Sequence, residues 1–255
     1  MLVGAGSIAS CDSNGAERTA TLLDDIDGTV FTLGDNAYES GTADGYYSYS
    51  LGEWQILVLN SNCIEIGGCD SRSPQGAWLR DELQLSGARC TLAYWHHRRF
   101  SSGGWVGGHE ALVDAWQLLY DAGPKSWFPR TRISYERFVP QTPRGAPDPE
   151  RRVRQFIVGT GGRDFHPIGS PLANGEVLVP DTFGVLKLGL VADGYSWEFI
   201  TAPDAEVMDR GDERCHGSFD IGVLVPAAAS VGFLIALIVV GFLSYTLRCP
   251  KYRVI

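Results

Sequence analysis

The sequence predicts an α/β fold, two layered sheets flanked by helices, joined to a C-terminal transmembrane helix. Three observations predict it. Short β-branched or apolar runs alternate with segments of helical periodicity. The composition, 44% hydrophobic and 20% charged over 255 residues, suffices for one sizeable core plus an appendage. From Ile221 to Leu247 there is no Asp, Glu, Lys, Arg or His, a stretch longer than the about 20 residues a spanning helix needs.

The elements follow in order. Leu2 and Val3 read as a first strand that runs into Gly4-Ala5-Gly6, where glycines let the backbone turn sharply. Ala16 to Asp25 reads as a short helix burying Ala20, Leu22 and Leu23. Val30 to Leu33 reads as a buried strand stopping at Gly34. Tyr46 to Ser50 and Trp54 to Asn60 pair around Leu51-Gly52-Glu53. Ser73 is the candidate N-cap of a helix reaching Leu85, with Pro74 in its first turn and Trp78, Leu79, Leu83 and Leu85 as apolar contacts. Cys90 to Trp95 is a buried strand that delivers His96 and His97 at its end. His109 to Ala122 is helical, with Leu112, Ala115, Leu118 and Leu119 on its buried face. Pro140 to Glu150 is a mobile loop, and Arg154 to Gly159 a strand ending in Gly159-Thr160-Gly161-Gly162. Gly184 to Ala192 and Tyr195 to Ile200 form a hairpin about Asp193-Gly194. The expected organisation is a domain over 1–201, a polar stalk over 202–220, a transmembrane helix over 221–247 and a basic tail over 248–255.

Charge excludes one class of partner. A formal net charge of −9 argues against nucleic acid, because a phosphate backbone requires clustered Lys and Arg. Around the apolar span, Arg248, Lys251 and Arg253 follow, while Asp204, Glu206, Asp209, Asp212, Glu213 and Asp220 precede. The positive side is the C-terminal tail, so the body is expected outside the cell or in a lumen. No leader is visible at Met1-Leu2-Val3-Gly4; the alternative is a tail-anchored protein with a cytosolic body. Six cysteines occur, at positions 11, 63, 69, 90, 215 and 249. Cys63 with Cys69, and Cys11 with Cys215, are pairings the spacing allows, but sequence leaves the connectivity open.

The chemistry gathers at Gly34-Asp35-Asn36-Ala37-Tyr38. A carboxylate just past the C-terminal end of a strand sits where α/β folds place ligands and metals, and Tyr38 adds a second oxygen. The same residues also make good turn chemistry. His96 and His97 are the second landmark. Adjacent residues on an extended chain point to opposite sides, so at most one of them is expected to hold a given metal.

Six segments occur in one order: Leu2-Val3-Gly4-Ala5-Gly6-Ser7-Ile8-Ala9, Gly34-Asp35-Asn36-Ala37-Tyr38-Glu39-Ser40-Gly41, Leu59-Asn60-Ser61-Asn62-Cys63, Ala93-Tyr94-Trp95-His96-His97, Tyr135-Glu136-Arg137-Phe138 and Val158-Gly159-Thr160-Gly161-Gly162. In that order they resemble the calcineurin-like metallophosphoesterases, in particular the purple-acid-phosphatase-like branch, from about Leu2 to His216. The resemblance implies a four-layer α/β/β/α sandwich, here shortened. It implies a phosphate-ester substrate and a binuclear site of Fe, Zn or Mn, in which bound metals clamp the phosphoryl oxygens and activate water. Carried over residue by residue, Asp35, Tyr38 and His96 are the metal ligands, His97 the catalytic candidate, and Asn36 and Arg98 the substrate contacts. Arg98 and Arg99 would meet a phosphate or be solvated.

The same comparison marks what is missing. Ser7 stands where the family has an Asp ligand, the Gly-Asn-His element has no counterpart after Glu39, and Thr131 and Ile133 replace the two His of Gly-His-x-His. Three protein ligands suit one open-site metal better than two. The expectation is therefore a membrane-anchored, metal-dependent phosphoric ester hydrolase impaired by lost ligands. The alternative is a catalytically inactive homologue serving as a membrane-anchored binding or structural module.

Overall fold

The computed structural model describes residues 1–6, 15–32, 45–102, 110–122, 134–151, 153–162 and 170–215, and the backbone of 125–130. The chain divides into two compact units, 1–218 and 219–255. The expected transmembrane helix over 221–247 lies outside the described residues. Among those that are described, no helix is long and apolar enough to cross a membrane.

In chain order the elements are β1 (Leu2–Ala5), α1 (Gly15–Asp24), β2 (Thr29–Thr32), β3 (Tyr47–Leu51), β4 (Trp54–Val58), α2 (Pro74–Leu85), β5 (Cys90–His97), a single 3-10 turn (Glu110–Leu112), α3 (Val113–Asp121), β6 (Lys125–Arg130), β7 (Ser134–Phe138), β8 (Arg154–Val158), β9 (Gly175–Pro180), β10 (Gly184–Val191), β11 (Gly194–Thr201) and β12 (Val207–Arg214). They build a five-stranded sheet of order β12-β11-β10-β1-β2 and a seven-stranded sheet of order β3-β4-β5-β6-β8-β7-β9. Mixed pairing is the rule in both. β1 and β2 run parallel, as do β4, β5, β6 and β8, while the hairpins are antiparallel.

The main core lies between the sheets. Leu92, Tyr94, Phe156 and Val158 from one sheet meet Leu2, Leu186, Leu188 and Phe199 from the other. Tyr135 stacks on Phe199 with centroids 4.2 Å apart. A second core lies between the outer face of the seven-stranded sheet and helices α2 and α3, where Leu57, Ala93 and Trp95 pack against Leu79, Trp116 and Leu119. Alternation along β5 divides its side chains between these two cores.

Several local expectations require correction. The strand before Gly34 is the edge of its sheet rather than its centre, and Val30 is 56% exposed. Leu33 lies outside the described residues. Helix α1 buries Gly15, Thr19 and Leu22, one stripe of a helix, and leaves Ala20 exposed. A Cβ on Gly15 would sit 2.5 Å from Gly162 Cα, so only glycine permits this close approach. Leu85 is 85% exposed, because α2 ends there at its cap, Ser86. The loop from Pro140 to Glu150 is bonded internally, with Thr142 N–H to Ala146 O and Asp148 N–H to Pro140 O, and Asn174 donates to Gly145 O. These bonds give the loop a defined internal conformation.

The largest correction is β12. Val207 to Arg214, expected within a polar stalk, pairs antiparallel with β11 as the last strand of its sheet. Its charges explain why. Asp209 and Glu213 turn inward, and Asp209 accepts from Tyr135 Oη at 2.5 Å, Arg137 Nε at 2.8 Å and Trp197 Nε1 at 3.0 Å. Glu213 accepts from Arg154 Nε and Tyr195 Oη, both at 3.0 Å. Glu176 on β9 completes the cluster by pairing with both arginines. Burial, and then the Asp209 carboxylate, raise the Tyr135 phenol well above its ordinary range, so it remains a donor.

Two disulfides tie the described residues, Cys63–Cys69 and Cys90–Cys215. The first is a pairing the spacing allowed. The second replaces Cys11–Cys215, because β12 carries Cys215 to the start of β5. Ser73 caps α2 as expected, accepting from Gly76 N–H at 3.1 Å. Ser73→Ala should cost about 1 kcal/mol, read as a lower urea midpoint at unchanged slope.

Candidate active site

The site residues are positioned by the ends of parallel strands. Gly6 N–H donates to Val158 O at 2.9 Å and Gly161 N–H donates to Gly6 O at 2.9 Å. These bonds bring the C-terminal end of β1, and with it parallel β2, to the C-terminal end of β8. The parallel strands of both sheets therefore finish at one rim, the location that open α/β sheets use for ligands. The strand β5 ends at this rim with His96 and His97.

The two histidines depart from the simple extended geometry. Pairing of β5 with β6 shifts register between Trp95 and His97, so His96 is the extra residue of a bulge. A bulge re-aims side chains locally. Here it brings the two rings into edge-to-face contact, centroids 4.7 Å apart and planes at 87°, instead of sending them to opposite sides. His97 is held further by Ser61. Ser61 Oγ lies 2.9 Å from His97 Nδ1 and accepts from His97 N–H at 2.9 Å.

Ser61 is itself fixed from both sides. Asn60 N–H donates to Gln75 Oε1 at 2.7 Å, and Gln75 Nε2 donates to Asn60 O at 2.9 Å, so helix α2 clamps the end of β4. Two residues beyond Ser61, the Cys63–Cys69 bond closes a short loop. The segment after His97 is anchored as firmly. Gln155, on β8, donates to Phe100 O at 2.8 Å. Glu136, on β7 and 1% exposed, accepts from Ser102 N–H at 2.9 Å and from the hydroxyls of Ser101 and Ser134. A buried carboxylate supplied with three neutral donors is a scaffold for the strand end.

The predicted residues fall into two groups. His96, His97 and Arg98 are described, and the bulge brings the histidines together. Asp35, Asn36 and Tyr38 lie outside the described residues, as do Ser7, Thr131 and Ile133. Arg98 is half-buried beside His97. Arg99 is neither solvated nor open to a phosphate through its whole head, since its Nη1 pairs with Glu110 at 3.2 Å and its guanidinium lies 4.7 Å over the Phe100 ring. In the glycine-rich segment after β8, two amides are taken up by neighbouring elements, Gly159 N–H by Ser134 O and Gly161 N–H by Gly6 O. Sequence reasoning missed Ser61 and Glu136, although both stand inside motifs it singled out. Their partners, 36 and 34 residues away in sequence, give no local signal.

The donor set limits what a transition metal finds here. Such a site draws on at least three imidazole, carboxylate or thiolate donors. Among the described residues no three His, Cys, Asp or Glu converge. The four described cysteines are all in disulfides. Two touching imidazoles are one corner of a site, and the described residues do not complete it. One shallow concavity, lined by Ser50, Gly52, Glu53, Trp54, Ala88 and Arg89, lies at the starts of β4 and β5, the opposite end from the rim.

No family model and no curated protein matches the sequence. Among solved structures, the fold is similar to that of the purple acid phosphatase PPD1 from yellow lupin (Lupinus luteus) seeds, with a TM-score of 0.62 and 15% identity over 83% of this chain and 53% of that one. This chain therefore spans about half the length of that protein. A second similar structure is GAP50, the anchor in the inner membrane complex of Plasmodium, at a TM-score of 0.49 and 13% identity over 68% of this chain and 54% of that one. The likeness to the lupin enzyme shows a metallophosphoesterase-like α/β fold.

Proposed function

From a chain that folds as a purple acid phosphatase folds, we propose a phosphoric ester hydrolase of the acid-phosphatase type, dependent on Fe, Zn or Mn held by Asp35, Tyr38 and His96. The observation that carries this reading is the bulge at the end of β5, which gathers His96 and His97 at the rim where the parallel strands of both sheets finish. His97 is the catalytic candidate, and Asn36 and Arg98 are the substrate contacts. The architecture is read as the four-layer sandwich, shortened after Glu39.

The body is proposed to stand outside the cell or in a lumen, anchored by the apolar stretch from Ile221 to Leu247. Two disulfides favour an oxidising compartment over the cytosol. One set of observations favours the second reading, an inactive binding or structural module. Arg99 pairs with Glu110, and the Gly159 and Gly161 amides are taken by Ser134 O and Gly6 O, which leaves them unavailable to an anion.

Elemental analysis separates the two. After dialysis the full chain should retain about one transition metal, and His96→Ala or Asp35→Ala should reduce it to background. The retained metal should accompany hydrolysis of p-nitrophenyl phosphate. A folded, monodisperse sample that holds no metal and releases no nitrophenol overturns the hydrolase reading in favour of the module.

A further inference from the structure

We infer that Ser61 is a positioning residue that fixes His97 as its Nε2–H tautomer, so that His97 is a hydrogen-bond donor at the rim and not a metal ligand. The hydroxyl proton of Ser61 decides it. Ser61 is 1% exposed, so that proton needs an acceptor within the protein. Among the described residues Oγ makes two contacts, to His97 N and His97 Nδ1. The first uses Oγ as an acceptor, since a backbone N–H can only donate. The second is then the place for the proton, and Oγ–H donates to Nδ1.

A proton on Nδ1 would instead leave the buried hydroxyl with no acceptor among the described residues. Once Nδ1 accepts, a neutral imidazole carries its hydrogen on Nε2. Both nitrogens of His97 are thereby assigned, one to Ser61 and one to donation, and neither is left with a lone pair for a metal. The rings of His96 and His97 touch, yet their roles divide, and His96 remains the ligand candidate of the pair. Rigidity makes the assignment persistent. The Gln75 clamp on Asn60 and the Cys63–Cys69 loop hold Ser61 from either side.

The tautomer follows from the fold alone. Only what Nε2–H donates to, an oxygen of a phosphoryl group, rests on the hydrolase reading.

The test labels the five histidines of the full chain with 15N and reads long-range proton–nitrogen correlations. The pH is set about two units above the ordinary histidine pKa of about 6.5. His97→Gln assigns the His97 signals. The wild type should show an unprotonated Nδ1 and a protonated Nε2 with no averaging between them. In Ser61→Ala the Nδ1 signal should lose its hydrogen-bond shift and the two nitrogens should move toward each other. Ser61→Thr, which keeps the hydroxyl, should preserve the wild-type pattern. A protonated Nδ1 in the wild type overturns the inference even if Ser61→Ala does not fold, and so does an alanine variant with unmoved His97 signals. A chain that binds no metal and cleaves no ester but shows the expected pattern loses the hydrolase reading and keeps this one.

Discussion

Asp209→Ala should lower the stability of the 1–218 unit by about 3–5 kcal/mol, the cost of removing one partner from a buried ion pair. Asp209 is the acceptor for three donors from two strands, Tyr135 and Arg137 on β7 and Trp197 on β11. Truncation leaves a guanidinium whose side chain is 13% exposed with Glu176 as its remaining carboxylate, and a phenol and an indole N–H unpaired. Replacing Arg137, Asp209 and their neighbours together by apolar residues of matching shape would cost far less, because desolvation offsets most of the attraction in such clusters. The expected loss therefore measures stranded donors, not the net worth of the pair. For a unit of this size it corresponds to a fall in Tm on the order of 10 °C. Asp209→Asn, which keeps an acceptor oxygen but not the charge, should fall between wild type and alanine. Thermal unfolding followed by circular dichroism decides it, and an alanine variant within about 1 kcal/mol of wild type would mean that the cluster does not hold the two sheets together.

The same cluster shows why the stalk was illegible in the sequence. Glu206-Val207-Met208-Asp209-Arg210-Gly211-Asp212-Glu213-Arg214 is charged enough to read as solvated, and nothing local distinguishes Asp209 and Glu213, which turn inward, from Arg210 and Asp212, which do not. The distinction is made by Arg137 and Arg154, more than fifty residues earlier. Strong local patterns were read correctly: the Ser73 cap, the β3–β4 turn at Gly52, the β10–β11 hairpin and the strand that ends in two histidines. β9 was missed because Gly175 to Pro180 is short and begins and ends with residues that punctuate strands. At the site, the spacing of β5 located His96 and His97, but a bulge is a property of pairing with β6 and leaves no mark on the histidines themselves. Ser61 is an ordinary serine until β4 and β5 lie side by side. The disulfide partner of Cys215 was hidden for the same reason, since it depends on where β12 ends.

Removing the Cys90–Cys215 bond by Cys90→Ala with Cys215→Ala should destabilise the fold by roughly 5 kcal/mol, whereas removing Cys63–Cys69 the same way should cost roughly 2 kcal/mol. The difference comes from the loops. The bonds span sequence separations of 125 and 6, and a longer closed loop takes more conformational entropy from the unfolded chain. Position in the fold adds to it, since Cys90 is fully buried at the start of β5 and Cys215 follows the last strand of the other sheet. The effect lies mainly in the unfolded state, which gives it a second signature. Without the long cross-link the denatured chain expands and exposes more surface, so the slope of urea unfolding should rise along with the loss of midpoint. The short loop should change the midpoint with little change in slope. Equal losses from the two double variants, at equal slopes, would mean that native contacts around the sulfurs outweigh the constraint on the unfolded chain.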